Sequence, residues 1–239
     1  VMDSNALPGF TNRRLAMCVD KAALTFDEAL AFFGKKGLVT GNPVRQEFFD
    51  VAAKPRTDEF HVLIFGGSQG ARAINTAMTI GLEKLKPFAG KLSITHQTGE
   101  SDFDNVKTAY ADSAFSGADV RPYISDIFVE FGKSDLVICR AGATTCAELA
   151  AAGKASIMVP LPTAADDHQR KNAEALERAG AAKMILQSDL TGDALADSIA
   201  ELIGLPETIT AMETSARALG RRDAAEKTVD LIEQLKLNV

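Results

Sequence analysis

The chain has 239 residues, enough for one large domain or for one domain and part of a second. Apolar residues make up 46% and charged residues 24%, a globular balance that excludes collagen-like, low-complexity and coiled-coil chains. Lys and Arg total 26 against 32 Asp and Glu, a net charge of −6, which excludes the basic footprint of a duplex-binding protein, and 6% aromatics with no tryptophan argues against an aromatic stacking platform.

Val1 to Asn5 reads as the end of a strand followed by a Pro8-Gly9 turn. It has neither the basic nor the apolar region of a signal peptide, so further chain is expected before Val1. A helix is expected over Thr11–Val19, capped by Thr11 and with Leu15, Cys18 and Val19 on one face. Lys21–Thr25 reads as a short strand and Phe26–Gly37 as irregular. Leu38–Arg45 is a strand end entering a turn, because Pro43 holds Asn42 extended, and Ala52–Glu59 is a polar linker. From Phe60 onward short apolar runs alternate with helical patterns. Strands are expected at His61–Phe65, Leu92–His96, Val120–Tyr123, Leu136–Cys139, Ser156–Pro160 and Lys183–Leu186. Helices are expected at Ala71–Leu85, Asp102–Tyr110, Ile127–Lys133, Thr145–Ala152, His168–Gly180 and Thr191–Ile203, with two more over Pro206–Leu237. This alternation is the α/β signature of a parallel sheet with crossover helices, in which ligands bind at the carboxyl ends of the strands.

Two strand-to-helix turns stand out. Gly66-Gly67-Ser68-Gln69-Gly70-Ala71-Arg72 lets backbone approach an anion at a helix N-terminus, and Ser68 is a hydroxyl placed for a phosphate. Its spacing matches neither a dinucleotide fingerprint nor a P-loop, and a plain tight turn is the alternative. Arg140-Ala141-Gly142-Ala143-Thr144-Thr145-Cys146-Ala147-Glu148 repeats the arrangement. There Glu148 is either the far end of a Thr145-x-x-Glu148 capping box or a carboxylate that accepts ribose hydroxyls. In the loop from Pro160, Gln169 and Asn172 share a helical face and suit sugar hydroxyls, while Asp166 and Asp167 read as N-capping carboxylates rather than metal ligands. Arg45, after Asn42-Pro43, is either a phosphate or base contact or a solvated surface residue. Cys18, Cys139 and Cys146 are isolated and read as small buried hydrophobes in a reducing compartment. No apolar run of about 18 residues is present, and no basic amphipathic helix stands out.

Six runs, in order along the whole chain, resemble the MurG family of peptidoglycan glycosyltransferases. They are Ser4–Arg13, Gly41–Arg45, Gly66–Arg72, His96-Gln97-Thr98-Gly99, Cys139–Thr145 with Glu148–Ala150, and Asp167-His168-Gln169 with Asn172-Ala173. The resemblance implies a GT-B architecture with the donor mostly on the C-terminal domain. It implies that residues 1–42 end an acceptor-side Rossmann-like domain, that 43–205 form the UDP-sugar domain, and that 206–239 pack back toward the first. It implies inverting transfer of N-acetylglucosamine from UDP-GlcNAc, a substrate, to an undecaprenyl-linked acceptor at the cytoplasmic membrane face of a bacterium, with no metal or cofactor. By motif match, Asn5 would approach the sugar acetamido group, Arg45 the nucleotide, Ser68 the diphosphate and Ile124 the uracil. Ala143, Thr144, Thr145, Cys146 and Ala147 would hold diphosphate and ribose, with Glu148 on the ribose hydroxyls and Gln169 on the sugar. Gly67, Gln69, Gly142, His168 and Asn172 are secondary candidates. Asp3-Ser4 stands where the family usually has Glu-Gln, so the acceptor-side wall is expected to differ. The family's first glycine loop, with its His, is expected upstream of Val1 together with the general base and the membrane patch. A donor-binding subunit inactive alone, a GT-B enzyme with another lipid acceptor, and a non-catalytic nucleotide sensor are the competing readings.

Overall fold

Phe60–Phe65 buries both faces, which is why it reads as an uninterrupted apolar run: Val62 and Ile64 enter one core, and Leu63 and Phe65 the other. A computed structural model describes residues 1–236. In chain order, a first unit comprises β1 (Met2–Asp3), α1 (Phe10–Leu15), β2 (Ala22–Leu24), α2 (Leu30–Phe33) and β3 (Gly37–Val39), and a short α3 (Gln46–Phe49) leads into the second, whose core takes its Phe48. A second follows as β4 (Phe60–Phe65), α4 (Arg72–Leu85), β5 (Leu92–Gln97), α5 (Phe103–Ala111), β6 (Asp119–Arg121), α6 (Ile127–Lys133), β7 (Leu136–Cys139), α7 (Ala143–Ala152), β8 (Ser156–Met158), α8 (His168–Arg178), β9 (Ala182–Met184) and α9 (Gly192–Gly204). The chain ends in α10 (Pro206–Leu219) and α11 (Ala224–Lys236).

Every strand pairing is parallel. The first sheet has the order β1-β2-β3, and the second β6-β5-β4-β7-β8-β9. The chain thus winds outward from β4 to β6, returns, and winds the other way from β7 to β9. The reversal leaves a crevice beyond the carboxyl ends of β4 and β7, where a doubly wound sheet binds its ligand. α4, α5 and α9 cover one face of this sheet, with Met78, Tyr110 and Ile199 buried there; α6, α7 and α8 cover the other around Phe131, Leu149 and Leu176. The tail turns back toward the junction between the sheets. Gly41, at φ +88°, faces Arg221 and Ala224 closely enough that a Cβ there would lie 2.6 Å from the Arg221 side chain.

Several local expectations are corrected. The first helix is short and starts from Gly9 rather than Thr11, because the Asp3 carboxylate holds the Gly9 N–H at 2.9 Å. It closes where Cys18 and Val19 both donate to the Leu15 carbonyl, which leaves Cys18 exposed rather than buried. Phe26–Gly37 is built of 3-10 turns and α2 rather than being irregular. The one-turn α3 was not expected at all; Phe48 nucleates it by packing edge-on against Phe131, with ring centroids 5.3 Å apart. The Pro206–Leu237 segment does break into two helices, and Leu237 lies outside the described residues.

Candidate functional site

The two turns flanking the crevice face one cleft of about 410 Å³, lined on one side by Gly66, Gly67 and Gly70 and on the other by Gly142, Thr145 and Gln169. Sterics dictate the glycine turn. Gly70, at φ +73°, sits so close to the end of β5 that a Cβ would come within 1.9 Å of the Thr98 carbonyl oxygen, and Gly67, at φ +87°, faces open space. α4 follows from Ala71, whose methyl cannot cap, so the first-turn N–H groups of Arg72, Ala73 and Ile74 have no carbonyl one turn back. α7 begins the same way. Its N-cap is Gly142, the first intrahelical bond runs from Cys146 N–H to the Gly142 carbonyl at 2.9 Å, and the amides of Ala143, Thr144 and Thr145 remain for a ligand. Two helix N-termini with their positive dipole ends thus converge on one volume.

That start excludes the capping box. Thr145 is the third residue of α7 rather than its cap, and Glu148 lies nearly two turns in. Burial pushes the Glu148 carboxyl up to about 7, against the opposing pull of the Arg45 guanidinium. Arg45 is itself stacked over Phe48 and Phe128, 5.3 and 5.5 Å from their ring centres, so it is a positioned cation and not a loose surface arginine.

Other expected residues are placed differently. Cys146 is buried, its thiol pushed up to about 12 by burial, and with Ala147 it lines a separate cavity of about 300 Å³ between α7, α8 and the ends of β2 and β3. Neither side chain enters the cleft, because helical periodicity turns them to the opposite face from Thr145. Ile124 is 4% exposed in the same core as Phe65 and Phe131, and its N–H donates to Gln97 Oε1 at 2.8 Å, so its side chain presents no surface for a base. Asn172 is 0% exposed and fully engaged: Oδ1 accepts from the Ala6 N–H at 2.9 Å, and Nδ2 donates to the Ala141 carbonyl at 3.1 Å and to Asn5 Oδ1 at 3.2 Å. It acts as a clamp between the two units, with its amide bonded within the chain, and it fixes Asn5 at their junction. His168 Nδ1 lies 3.0 Å from the Leu7 carbonyl and serves the same junction. Gln169 spends Oε1 on the Leu161 N–H at 3.0 Å, which aims its amide along the cleft wall. Ser68 and Gln69 are exposed at the tip of the glycine turn.

Asp166 and Asp167 do not cap α8 through their side chains. Both occupy left-handed backbone, at φ 50° and 57°, and Asp166 instead pairs with Arg13 at 2.9 Å. Among the described residues no three His, Cys, Asp or Glu side chains group as a metal site. Three side chains near the cleft were missed. Arg72, at the start of α4, is 80% exposed and pairs with Asp102 at 3.4 Å. Arg140 is held by the Val159 and Pro160 carbonyls at 3.1 and 3.3 Å and by Gln187. Gln97 sits beneath the glycine turn. The runs that contain them were visible in the sequence, but the side-chain directions were not.

A doubly wound parallel sheet with two glycine-containing turns at its switch point defines a Rossmann-like domain. The comparisons narrow this. Residues 61–234 match the model of the glycosyltransferase family 28 C-terminal domain, and the chain belongs to that family. It is 43% identical over 236 residues to a protein of Solibacter usitatus named UDP-N-acetylglucosamine--N-acetylmuramyl-(pentapeptide) pyrophosphoryl-undecaprenol N-acetylglucosamine transferase, covering 98% of this chain and 64% of that protein. It is 45% identical over 234 residues to the protein of the same name from Myxococcus xanthus, covering 97% of this chain and 61% of that one. The crystal structure of Acinetobacter baumannii MurG superposes with a TM-score of 0.80 at 34% identity, over 98% of this chain and 66% of that one. The chain thus spans somewhat less than two thirds of the length of these curated relatives.

Proposed function

We propose that this chain is the donor side of an inverting glycosyltransferase that transfers N-acetylglucosamine from UDP-N-acetylglucosamine to a lipid-linked muramoyl acceptor. The observation that carries this reading is the convergence of the free first-turn amides of α4 and α7 on one cleft, with Gln169 on its wall. A diphosphate between the two helix ends would receive hydrogen bonds and dipole stabilisation from both, and these grow in value as the sugar–phosphate bond breaks and charge builds on the departing UDP. Arg72, paired with Asp102, adds a positive charge. Glu148, whose charged form Arg45 favours against burial, would accept the ribose hydroxyls once ionised. Gln169 would orient the sugar. Acceptor binding and removal of the acceptor proton are assigned to the part of the relatives' length that this chain does not cover. A lipid acceptor places the reaction at the cytoplasmic membrane face.

Calorimetric titration of this chain with UDP-N-acetylglucosamine, UDP and UTP tests the reading. One site for UDP and for UDP-N-acetylglucosamine is expected, and no heat or shift with either would overturn it.

A further inference from the structure

Gln97 ends β5, is 4% exposed, and has no place in the donor reading above. Its side-chain amide is used at both ends. Nε2 donates to the Gly67 carbonyl at 2.8 Å, and Oε1 accepts from the Ile124 N–H at 2.8 Å. Each bond fixes a peptide plane. In a trans peptide the carbonyl and the following N–H point in opposite directions. Drawing the Gly67 carbonyl down onto buried Gln97 therefore turns the Ser68 N–H outward, away from the core. Holding the Ile124 N–H turns the Tyr123 carbonyl away from Gln97 in the same manner. Gly67 is the residue of the turn with least resistance to rotation: it is a glycine at φ +87° with nothing within 4 Å of a Cβ. Its carbonyl also accepts the Gly70 N–H at 2.9 Å, so the bond from Gln97 is the second of two that hold this peptide and the one that comes from outside the turn.

We propose that Gln97 is a positioning residue that locks the Gly67–Ser68 peptide with its N–H toward the diphosphate and ties that turn to the Tyr123–Ile124 main chain on the nucleobase side. The proposal rests on the donor-site reading. It assigns Gln97 no contact with the ligand. The two halves of its amide have separate duties: the NH2 serves the diphosphate turn, and the oxygen serves the base side.

Gln97→Glu separates them. The carboxylate keeps an acceptor for the Ile124 N–H but sets an oxygen against the Gly67 carbonyl, which frees that peptide to rotate. Gln97→Met keeps the length and removes both bonds. Titration of the unmodified chain and both variants with UDP and with uridine, alongside thermal melting of each, gives the test. Gln97→Glu is expected to weaken UDP about tenfold while uridine binding stays within about twofold, and Gln97→Met to weaken both. A merely structural role would lower the melting temperature without separating UDP from uridine. UDP affinity equal to that of the unmodified chain in either folded variant would overturn the proposal, as would equal loss of UDP and uridine in Gln97→Glu. If Gln97→Glu does not fold, Gln97→Met decides. Failure of the unmodified chain to bind UDP would instead sink the donor-site reading.

Discussion

At the scale of single residues, Glu148 combines a stability cost with the ribose contact proposed for it. Its carboxyl titrates near 7 in the folded chain because burial disfavours the charge, whereas an unfolded glutamate releases its proton near 4.5. The folded state therefore holds a proton that the unfolded chain has lost, and stability falls as pH rises from about 4.5 toward 7. Glu148→Gln removes that penalty. The variant is expected to melt above the unmodified chain at pH 8, with the gap closing as pH falls toward 4.5, while its affinity for UDP drops about tenfold. Melting curves across pH, paired with titration at pH 8, check both halves. A variant that binds UDP unchanged would remove Glu148 from the site.

At the scale of elements, the donor reading makes the first turn of α7 a diphosphate contact, and one substitution isolates it. Gly142 has φ −64° and ψ 146°, the conformation that a following proline requires. Ala143 is the first helical residue, where proline is well tolerated because its missing N–H has no intrahelical partner. Ala143→Pro thus deletes one ligand-facing donor and leaves the helix whole. A hydrogen bond to a charged group is worth about 1.5–3 kcal/mol, so UDP affinity is expected to fall roughly tenfold or more at nearly constant melting temperature. Full affinity in this variant would mean that the diphosphate does not use this helix end.

At the scale of the whole molecule, the two sheets are joined by few but unequal links. Asn172 satisfies the Ala6 N–H and the Ala141 carbonyl in a fully buried setting, whereas the Arg13–Asp166 pair is solvated. Asn172→Ala leaves buried polar groups unpaired and is expected to cost about 2–4 kcal/mol. Arg13→Ala breaks an exposed ion pair and is expected to cost less than about 1 kcal/mol. Urea denaturation of both variants ranks them, and a reversed order would show that the junction is held electrostatically. Because Asn172 also holds Asn5 and the carbonyl before Gly142, its loss is expected to loosen the cleft from behind.

The sequence alone determined the architecture of the second sheet. Buried parallel strands read as short apolar runs, and Gly66 and Gly70 mark a turn that no larger residue fits. Local chemistry of this kind is written in neighbouring residues. Tertiary structure decided the direction of each side chain. Asn172 and Gln169 share a helix and a residue class, yet one closes the junction and the other faces the cleft, because the loop at Ala6 packs over only one of them. Thr145 and Glu148 have the spacing of a capping box, but α7 starts three residues earlier than that spacing supposes. Gln97 carried no local sign of its two bonds, since the carbonyl and the amide that it joins come from loops far apart in the chain. A partner of that kind is set by how strands order in the sheet.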